Sequence, residues 1–450
     1  MTTYVCESCG AKSPAPLGRC PSCGAWSSMV AETPPAQAPG SIGARRTART
    51  VTTAPLESVE DLALRRASSG DAEVDRVLGG GWVPGAALLL AGEPGIGKST
   101  LLLQLARHAV DAGRSVLYVA GEESLAQIKL RAERLGLAGG LQATRDVDAR
   151  ALADHFVRTS PDLVVVDSIQ TLRADDDGIP GSLTQVRDGT ALLAHAAKES
   201  DATLMLIGHV TKQGTIAGPK VVEHMVDATF ALESAAGYRV LRALKNRFGP
   251  AGEVGVFEMG EAGMVAVANP SAAFLAERPA GVPGSVVVAA LEGQRPLLLE
   301  VQALASKSPY ASPKRVVQGL DGRRVDVVLA VLERRMDLPL AGLDVFVNVA
   351  GGLRLTDPGA DLAVALAVWS AVTNRPLPED AAVVGEVGLA GEIRGVSQLA
   401  RRVAEAERVG FSTIIGPRHP DLPGGGCRDL SEAIARVRAP AAPAPRAASR

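Results

Sequence analysis

The sequence predicts an α/β protein with a parallel β-sheet and more than one domain. Between about residues 62 and 269, short apolar runs alternate with helical patterns, which is typical of parallel strands joined by helices. The 450 residues exceed what one hydrophobic core normally supports. Hydrophobic residues make up 46% of the chain and charged residues 21%, which is the composition of a folded globular protein. We therefore expect two or three domains.

A metal module is predicted at the amino terminus. Four of the five cysteines form two CxxC pairs, Cys6 with Cys9 and Cys20 with Cys23, and a glycine follows each pair and permits a tight turn. Four thiolates in two chelating pairs make a closed tetrahedral Zn²⁺ site. Paired disulfides are the alternative, which secretion would favour. Residues 1–10 lack the apolar segment of a secretion signal, so we expect structural zinc.

Other features indicate a cytoplasmic protein without membrane contact. The sequence contains no run of about 18 apolar residues, the length that a membrane-spanning helix needs. The formal net charge is −2, so nucleic-acid binding would depend on local basic patches. Residues 31–60 and 439–450 are rich in Ala, Pro and Arg without apolar periodicity, and we expect a flexible linker and a disordered tail there.

A phosphate-binding loop is the strongest chemical signal. Residues 92–99 read GEPGIGKS, follow an apolar strand at 87–91 and precede a helical stretch at 100–109, which is the context that this loop requires. The loop N–H groups face phosphate oxygens, Lys98 reaches the β- and γ-phosphates, and Ser99 binds Mg²⁺. A chance glycine-rich turn is the alternative. The predicted nucleotide-binding residues are Gly92, Glu93, Pro94, Gly95, Ile96, Gly97, Lys98, Ser99 and Thr100.

Acidic residues after two further strands complete the predicted hydrolysis site. Asp167 ends the apolar run 163–166, where its carboxylate would hold Mg²⁺ beside the loop. Glu122 and Glu123 follow the strand 116–119, and we expect Glu122 to orient the attacking water. An ordinary acid at a strand end is the alternative for Asp167. Acids also favour helix N-termini, so the sequence does not decide between Glu122 and Glu123.

These motifs resemble the bacterial RadA (Sms) family of DNA-repair proteins. The resemblance extends over about residues 6–417, and its motifs are the four-cysteine finger, LGGG at 78–81, GEES at 121–124, VDSIQ at 166–170, GHVTK at 208–212, VEHMVD at 222–227 and KNRFG at 245–249. It implies a RecA-like ATPase core that uses ATP, assembles as a homo-hexameric ring and moves on single-stranded and branched DNA. The implied activity is branch migration of recombination intermediates, in a functional link with the RecA filament.

The resemblance also implies roles for basic residues. In a ring, Lys245 and Arg247 would reach the γ-phosphate bound by a neighbouring subunit. A basic turn or a DNA contact is the alternative. His209 follows an apolar strand where RecA-like enzymes place a γ-phosphate sensor, although a histidine at a strand end need not have that role. The loop 212–220 is expected to contact DNA.

The carboxyl-terminal block resembles the proteolytic domain of Lon proteases without its catalytic residues. Gly359 stands in the place of the serine nucleophile and Ala400 in that of the lysine, so acyl chemistry is not expected. We expect a platform for oligomerisation and DNA contact, or else a solvated charged face. The basic residues concerned are Lys307, Lys314, Arg315, Arg323 and Arg324.

Two other functions remain open at this stage: an ATP-dependent protease of the Lon type and a KaiC-like nucleotide switch. The predicted domains are a zinc finger at 1–30, a linker at 31–60, a RecA-like ATPase at 61–270, a Lon-like domain at 271–438 and a tail at 439–450.

Overall fold

The computed structural model of the protein divides into two compact units. It describes residues 3–6, 12–21, 24, 26, 28–32, 55, 57, 66–137, 139–175, 178–179, 181–210, 216–217, 220–422 and 424–438. Unit 1 comprises Met1–Leu232, Arg242–Gly249 and Gly260–Met264, and unit 2 comprises Glu233–Leu241, Pro250–Met259 and Val265–Arg450. The predicted tail and most of the predicted linker lie outside the described residues.

A small antiparallel sheet forms the amino-terminal module. Its strands are β1 (Thr3–Cys6), β2 (Lys12–Ser13) and β3 (Met29–Glu32), in the order β2-β1-β3. Cys6 pairs with Met29 at the end of the β1–β3 ladder. The sheet therefore places the first predicted metal ligand at a strand end.

The main sheet carries the phosphate-binding loop. Its strands are β4 (Ala87–Gly92), β5 (Val116–Ala120), β6 (Leu141–Thr144), β7 (Leu163–Asp167), β8 (Thr203–Val210), β9 (Ile216–Ala217), β10 (Ala228–Ala235), β11 (Tyr238–Asn246), β12 (Val254–Gly260) and β13 (Gly263–Ala266). The accompanying helices are α1 (Ala72–Leu78), α2 (Lys98–Asp111), α3 (Leu125–Arg134), α4 (Ala149–Thr159), α5 (Leu183–Ser200) and α6 (Lys220–Met225).

Six of these strands are parallel, in the order β10-β4-β8-β7-β5-β6. The chain runs outward from β4 to β5 and β6, then returns through β7 and β8 to the neighbourhood of β4. Ligands of such sheets bind at the carboxyl ends of the strands where this direction changes. Gly92, Ala120, Asp167 and His209 all lie at or near that edge.

Helices cover both faces of the parallel sheet. One face packs against α4 and α5 in a buried cluster that includes Leu89 and Val119. Because successive residues of a strand point to opposite sides, Tyr118 and Asp167 lie on the other face. Helix α2 contributes no residue to that cluster and packs on β4, β5 and β7, with α3 beside it.

Unit 2 contains a second, mixed sheet. Its strands are β14 (Ser285–Glu292), β15 (Arg295–Lys307), β16 (Arg315–Gln318), β17 (Leu343–Val349), β18 (Ala381–Val383) and β21 (Thr413–Ile415), in the order β16-β17-β15-β14-β18-β21, and β19 (Glu386–Val387) pairs with β20 (Ile393–Arg394). The helices are α7 (Pro270–Leu275), α8 (Gly322–Arg335), α9 (Asp361–Thr373), α10 (Leu399–Val409) and α11 (Leu430–Arg438).

Helix α9 is the centre of the unit 2 core. All its residues from Asp361 to Ser370 are buried, which explains why its sequence is apolar on every side. It packs with α8 in one large cluster. Among the described residues, no helix is long and apolar enough to cross a membrane.

Candidate active site

The phosphate-binding loop joins β4 to α2. Gly95 and Gly97 have φ angles of 76° and 113°, in the left-handed region that glycine adopts without strain. A Cβ on Gly92 would lie 2.7 Å from the Leu232 carbonyl oxygen, so a side chain does not fit there. Helix α2 begins at Lys98 without a side-chain cap, which leaves its first N–H groups to bind an anion.

Lys98 lies inside the loop. Its Nζ donates to the carbonyl oxygens of Gly92 at 2.8 Å and Glu93 at 2.9 Å, and it lies 3.4 Å from His209 Nδ1. Burial lowers the pKa of the Lys98 ammonium, and the carboxylates of Asp167 and Glu122 oppose that shift. The cation is therefore held where phosphate oxygens are expected.

Asp167 ends β7 beside the loop and is 8% exposed. Its Oδ2 accepts a hydrogen bond from Tyr118 Oη at 2.7 Å. Burial and the adjacent carboxylate raise the pKa of Tyr118 well above its usual range, so the phenol keeps its proton. With the half-buried Ser99 in the first turn of α2, the site offers hydroxyl and carboxylate oxygens. These are the ligands that Mg²⁺ prefers, so the residues fit this ion.

The two glutamates have different surroundings. Glu122 Oε1 accepts from Ser168 Oγ and lies 3.0 Å from His209 Nε2. Burial raises the pKa of Glu122, but the hydrogen bonds from Ser168 and His209 and the charge of Lys98 outweigh it and bring the pKa below its usual value. Glu123 Oε1 instead accepts from Arg131 Nη2 at 2.8 Å. Glu122 is thus linked to Lys98, whereas Glu123 belongs to an ion pair.

His209 connects Lys98 and Glu122. The ammonium can only donate, so Nδ1 accepts from Lys98 and the Nε2–H donates to Glu122. A neutral imidazole satisfies both contacts. His209 therefore links the loop cation to the Glu122 carboxylate, and its role as a γ-phosphate sensor stays a prediction.

Lys245 and Arg247 lie elsewhere. Lys245 Nζ donates to the carbonyl oxygens of Glu223 and Val226, each at 2.7 Å, and Arg247 Nη1 donates to Asp227 Oδ1 at 3.1 Å. Asp227 Oδ2 accepts from the N–H of Ala87, the first residue of β4.

The phosphate-binding loop begins at the other end of β4. Five residue steps of a strand span roughly 16 Å. The structure therefore does not bring Lys245 and Arg247 together with Lys98 of the same chain.

Half of the predicted zinc site can be described. Cys6 and Cys20 are 1% and 2% exposed, whereas Cys9 and Cys23 lie outside the described residues. The N–H of Gly24 donates to the Cys20 carbonyl oxygen at 3.0 Å, and Gly24 has a φ of 76°. This closes the tight turn that a CxxC knuckle followed by glycine requires, so the second knuckle fits a metal.

A buried ion pair lies beside position 359 of the Lon-like block. Arg402 is fully buried and donates to the carboxylate of Asp357 and to the Ala289 carbonyl oxygen. A Cβ on Gly359 would meet Arg402 Nη1 at 3.0 Å and both Asp357 oxygens at 3.2 Å. With glycine at position 359 and an exposed alanine at 400, these two positions provide neither nucleophile nor base.

The predicted basic surface of this block is smaller than expected. Arg324 forms a two-bond ion pair with Asp361, at 2.6 and 2.7 Å, so its charge is neutralised within unit 2. Lys307, Lys314, Arg315 and Arg323 are exposed. Lys212, in the predicted DNA-binding loop, lies outside the described residues.

Three residues of these networks were missed by sequence reasoning: Tyr118, Ser168 and Asp227. Ser168 directly follows Asp167 in the motif VDSIQ, and Asp227 is the last residue of the motif VEHMVD. Tyr118 is the one residue of β5 with a side-chain hydrogen-bonding group. A single polar side chain in an otherwise apolar strand was the signal from which its role could have been predicted.

Three family models match separate parts of the chain. They are the AAA domain over residues 53–215, the rubredoxin metal binding domain over 4–31 and the subunit ChlI of Mg-chelatase over 322–419. The first two confirm the predicted ATPase core, with ATP as its cofactor, and the amino-terminal zinc module. The third supports the predicted Lon-like α/β domain.

Curated relatives match over nearly the whole chain. DNA repair protein RadA of Halalkalibacterium halodurans is 44% identical over 421 residues, which is 92% of each chain. That of Brucella abortus is 44% identical, over 94% of this chain and 91% of the relative, and that of Streptococcus pyogenes serotype M6 is 43% identical, over 94% and 95%.

Among solved structures, a KaiC-like protein of Pyrococcus horikoshii matches with a TM-score of 0.39 and 21% identity, over 45% of this chain and 99% of that chain. The curated relatives settle the family, because their identity is high and extends over the zinc module, the ATPase core and the carboxyl-terminal block. The chain therefore belongs to the bacterial RadA family of DNA-repair proteins.

Proposed function

We propose that this protein is a DNA-dependent ATPase that promotes branch migration of strand-exchange products during homologous recombination and DNA break repair. It acts in the cytoplasm as a hexameric ring on single-stranded and branched DNA, in concert with the RecA filament. The name of the relatives, DNA repair protein RadA, supports the DNA substrate. The observation that carries the proposal is the separation of the phosphate-binding loop from Lys245 and Arg247 within one chain.

The chain's own residues perform the binding step. The loop N–H groups and the start of α2 bind the phosphates, and Lys98 exchanges two backbone carbonyls for phosphate oxygens. Ser99 and Asp167 would hold Mg²⁺, which neutralises charge on the transferred phosphoryl group when bound.

Glu122 orients and polarises the attacking water. It remains a carboxylate at neutral pH because its pKa lies below the usual value. Its Oε1 is hydrogen bonded to Ser168 and His209. A γ-phosphate that draws Lys98 toward it removes the contact of Lys98 with His209 Nδ1, and we expect the ring and its contact with Glu122 to shift in response.

A second subunit completes the site. Arg247 is 57% exposed, and its one ion-pair partner among the described residues is Asp227, whose carboxylate is buried. Its partner Asp227 binds the first residue of β4, at the strand end opposite the phosphate-binding loop, and this supports a role toward a neighbouring subunit rather than toward the nucleotide of the same chain. Supply of a cation in trans makes hydrolysis depend on assembly.

Replacing Glu122 with glutamine is expected to reduce ATP turnover by about 100-fold, because the amide cannot take a proton from water. ADP binding should stay close to wild type. Glu123→Gln is the matched control, since Glu123 is paired with Arg131, and it should keep most turnover. Steady-state phosphate release measures both variants. An equal loss in both would overturn the assignment of Glu122.

Single-stranded DNA is expected to raise ATP turnover, and the increase should diminish as salt rises, because backbone contacts release counterions. The measurement is phosphate release with and without an oligonucleotide at several salt concentrations. A KaiC-like switch predicts the same turnover in both and no DNA binding at low salt, which would refute the proposed function.

A further inference from the structure

We propose that Tyr118 is a positioning residue that fixes the Asp167 carboxylate, and through it the Mg²⁺ that accompanies ATP. The inference rests on the proposed function, because it takes Asp167 to be the carboxylate that serves this ion. Tyr118 touches neither nucleotide nor metal in this scheme. Its role is exerted through one oxygen of Asp167.

The strand register brings the two side chains together. Tyr118 lies opposite Val165 in the parallel β5–β7 ladder, and Ala120 lies opposite Asp167. Residues two apart on a strand face the same side, so Tyr118 and Asp167 share one face of the sheet. The long tyrosine side chain crosses this diagonal and places its hydroxyl 2.7 Å from Asp167 Oδ2.

Burial protects the hydrogen bond between Tyr118 and Asp167 from competition by water. Tyr118 is fully buried and Asp167 is 8% exposed, so water has little access to compete for Oδ2. Among the residues that the structure describes, no other side chain is hydrogen bonded to this carboxylate. A hydrogen bond to an ionised acceptor is stronger than one between neutral groups. The bond therefore holds the carboxylate in one rotation and leaves Oδ1 available.

The residues around Tyr118 do not replace its contact with Asp167. Ala120 lies opposite Asp167 on β5. Its methyl side chain is too small to take over the role of Tyr118. Arg131 and Glu123 act electrostatically on the phenol and form an ion pair with each other. Among the described residues, the Tyr118 hydroxyl therefore supplies the one side-chain hydrogen bond to this carboxylate.

Loss of the hydroxyl should weaken the coupling between metal and nucleotide. Residues that orient a metal ligand by a hydrogen bond typically contribute 10- to 100-fold to metal affinity. In Tyr118→Phe the ring remains and fills the same space, so packing is kept while Asp167 becomes free to rotate.

The test is calorimetric titration of the full-length protein with ADP, in Mg²⁺ and in EDTA. The ratio of the two affinities measures the coupling between metal and nucleotide without any contribution from catalysis. We expect Tyr118→Phe to reduce this ratio by about 10-fold. Its ADP affinity in EDTA should equal that of the wild type, because the loop itself is unchanged.

Thr203→Val is the matched control. It removes another buried hydroxyl of the same sheet, which donates to the Val83 carbonyl oxygen at 3.0 Å and does not touch Asp167. The control should leave the ratio unchanged. An unchanged ratio in Tyr118→Phe, or an equal reduction in Thr203→Val, would overturn the inference.

Asp167→Asn separates this inference from the proposed function. If Asp167→Asn reduces the ratio while Tyr118→Phe does not, the role of Tyr118 is refuted and the metal site stands. If Asp167→Asn leaves the ratio unchanged, the metal assignment itself is refuted and the inference falls with it.

Discussion

Replacing Lys98 with alanine is expected to reduce ATP turnover by about 1,000-fold, the upper range for loss of one donor to the transition state. Lys98 is the one side-chain cation within the loop, held by the carbonyl oxygens of Gly92 and Glu93. Alanine leaves the loop N–H groups in place, but these dipoles do not replace a full positive charge. Nucleotide binding should weaken as well, since the ground state uses the same contact.

The measurement is phosphate release together with ADP affinity. Lys129→Ala is a suitable control, because Lys129 is an exposed cation of α3 that pairs with Glu133 at 3.7 Å. It should behave as the wild type. Near-normal turnover in Lys98→Ala would show that hydrolysis occurs at another place in the molecule.

Replacing Arg247 with alanine is expected to lower turnover by about 1,000-fold while nucleotide binding is retained, the effect of losing a cation supplied by a neighbour. Fold stability should change little. In this variant the buried Asp227 carboxylate still accepts a hydrogen bond from the N–H of Ala87 and lies 3.8 Å from Lys198 Nζ. Its charge therefore still has partners. Thermal unfolding checks this point.

Arg76→Ala is the matched control for Arg247→Ala. Arg76 is also partly exposed and pairs with the carboxylate of Glu73 at 3.7 Å. The control should retain its turnover. If Arg247→Ala keeps turnover but loses DNA binding, the residue contacts DNA and the proposal for a composite site is wrong.

Much of the ATPase core could be predicted because its strands are buried on both faces. Such strands appear in the sequence as short continuous apolar runs, and the predicted strand 163–166 corresponds to β7 (Leu163–Asp167). The phosphate-binding loop was equally predictable, because local backbone geometry determines where its glycines and Lys98 stand in the sequence. Both features depend on residues that are close together in the sequence.

Features that depend on distant contacts were not predictable in the same way. Glu122 and Glu123 are adjacent and chemically alike, and the difference between them arises from His209 and Arg131, which lie on other elements. Arg324 was expected to contribute to a basic surface, but its partner Asp361 is 37 residues away and only the fold brings them together.

The domain limits show the same dependence. Between Glu233 and Met264, in the region of strands β10 to β13, successive segments of the sequence belong alternately to the two compact units. The sequence predicts contiguous segments, and the boundary at residue 270 remains a prediction.

The central claim is that each ATP site is built from two subunits, and mixing two inactive variants tests it most directly. Lys98→Ala and Arg247→Ala are combined in equal amounts, allowed to assemble, and assayed for phosphate release without DNA. In a ring with head-to-tail interfaces, roughly a quarter of the sites would join an intact Lys98 to an intact Arg247 from the neighbour. We predict recovery of turnover to roughly that fraction of the wild type. Turnover no greater than that of the two variants measured separately would contradict the composite site.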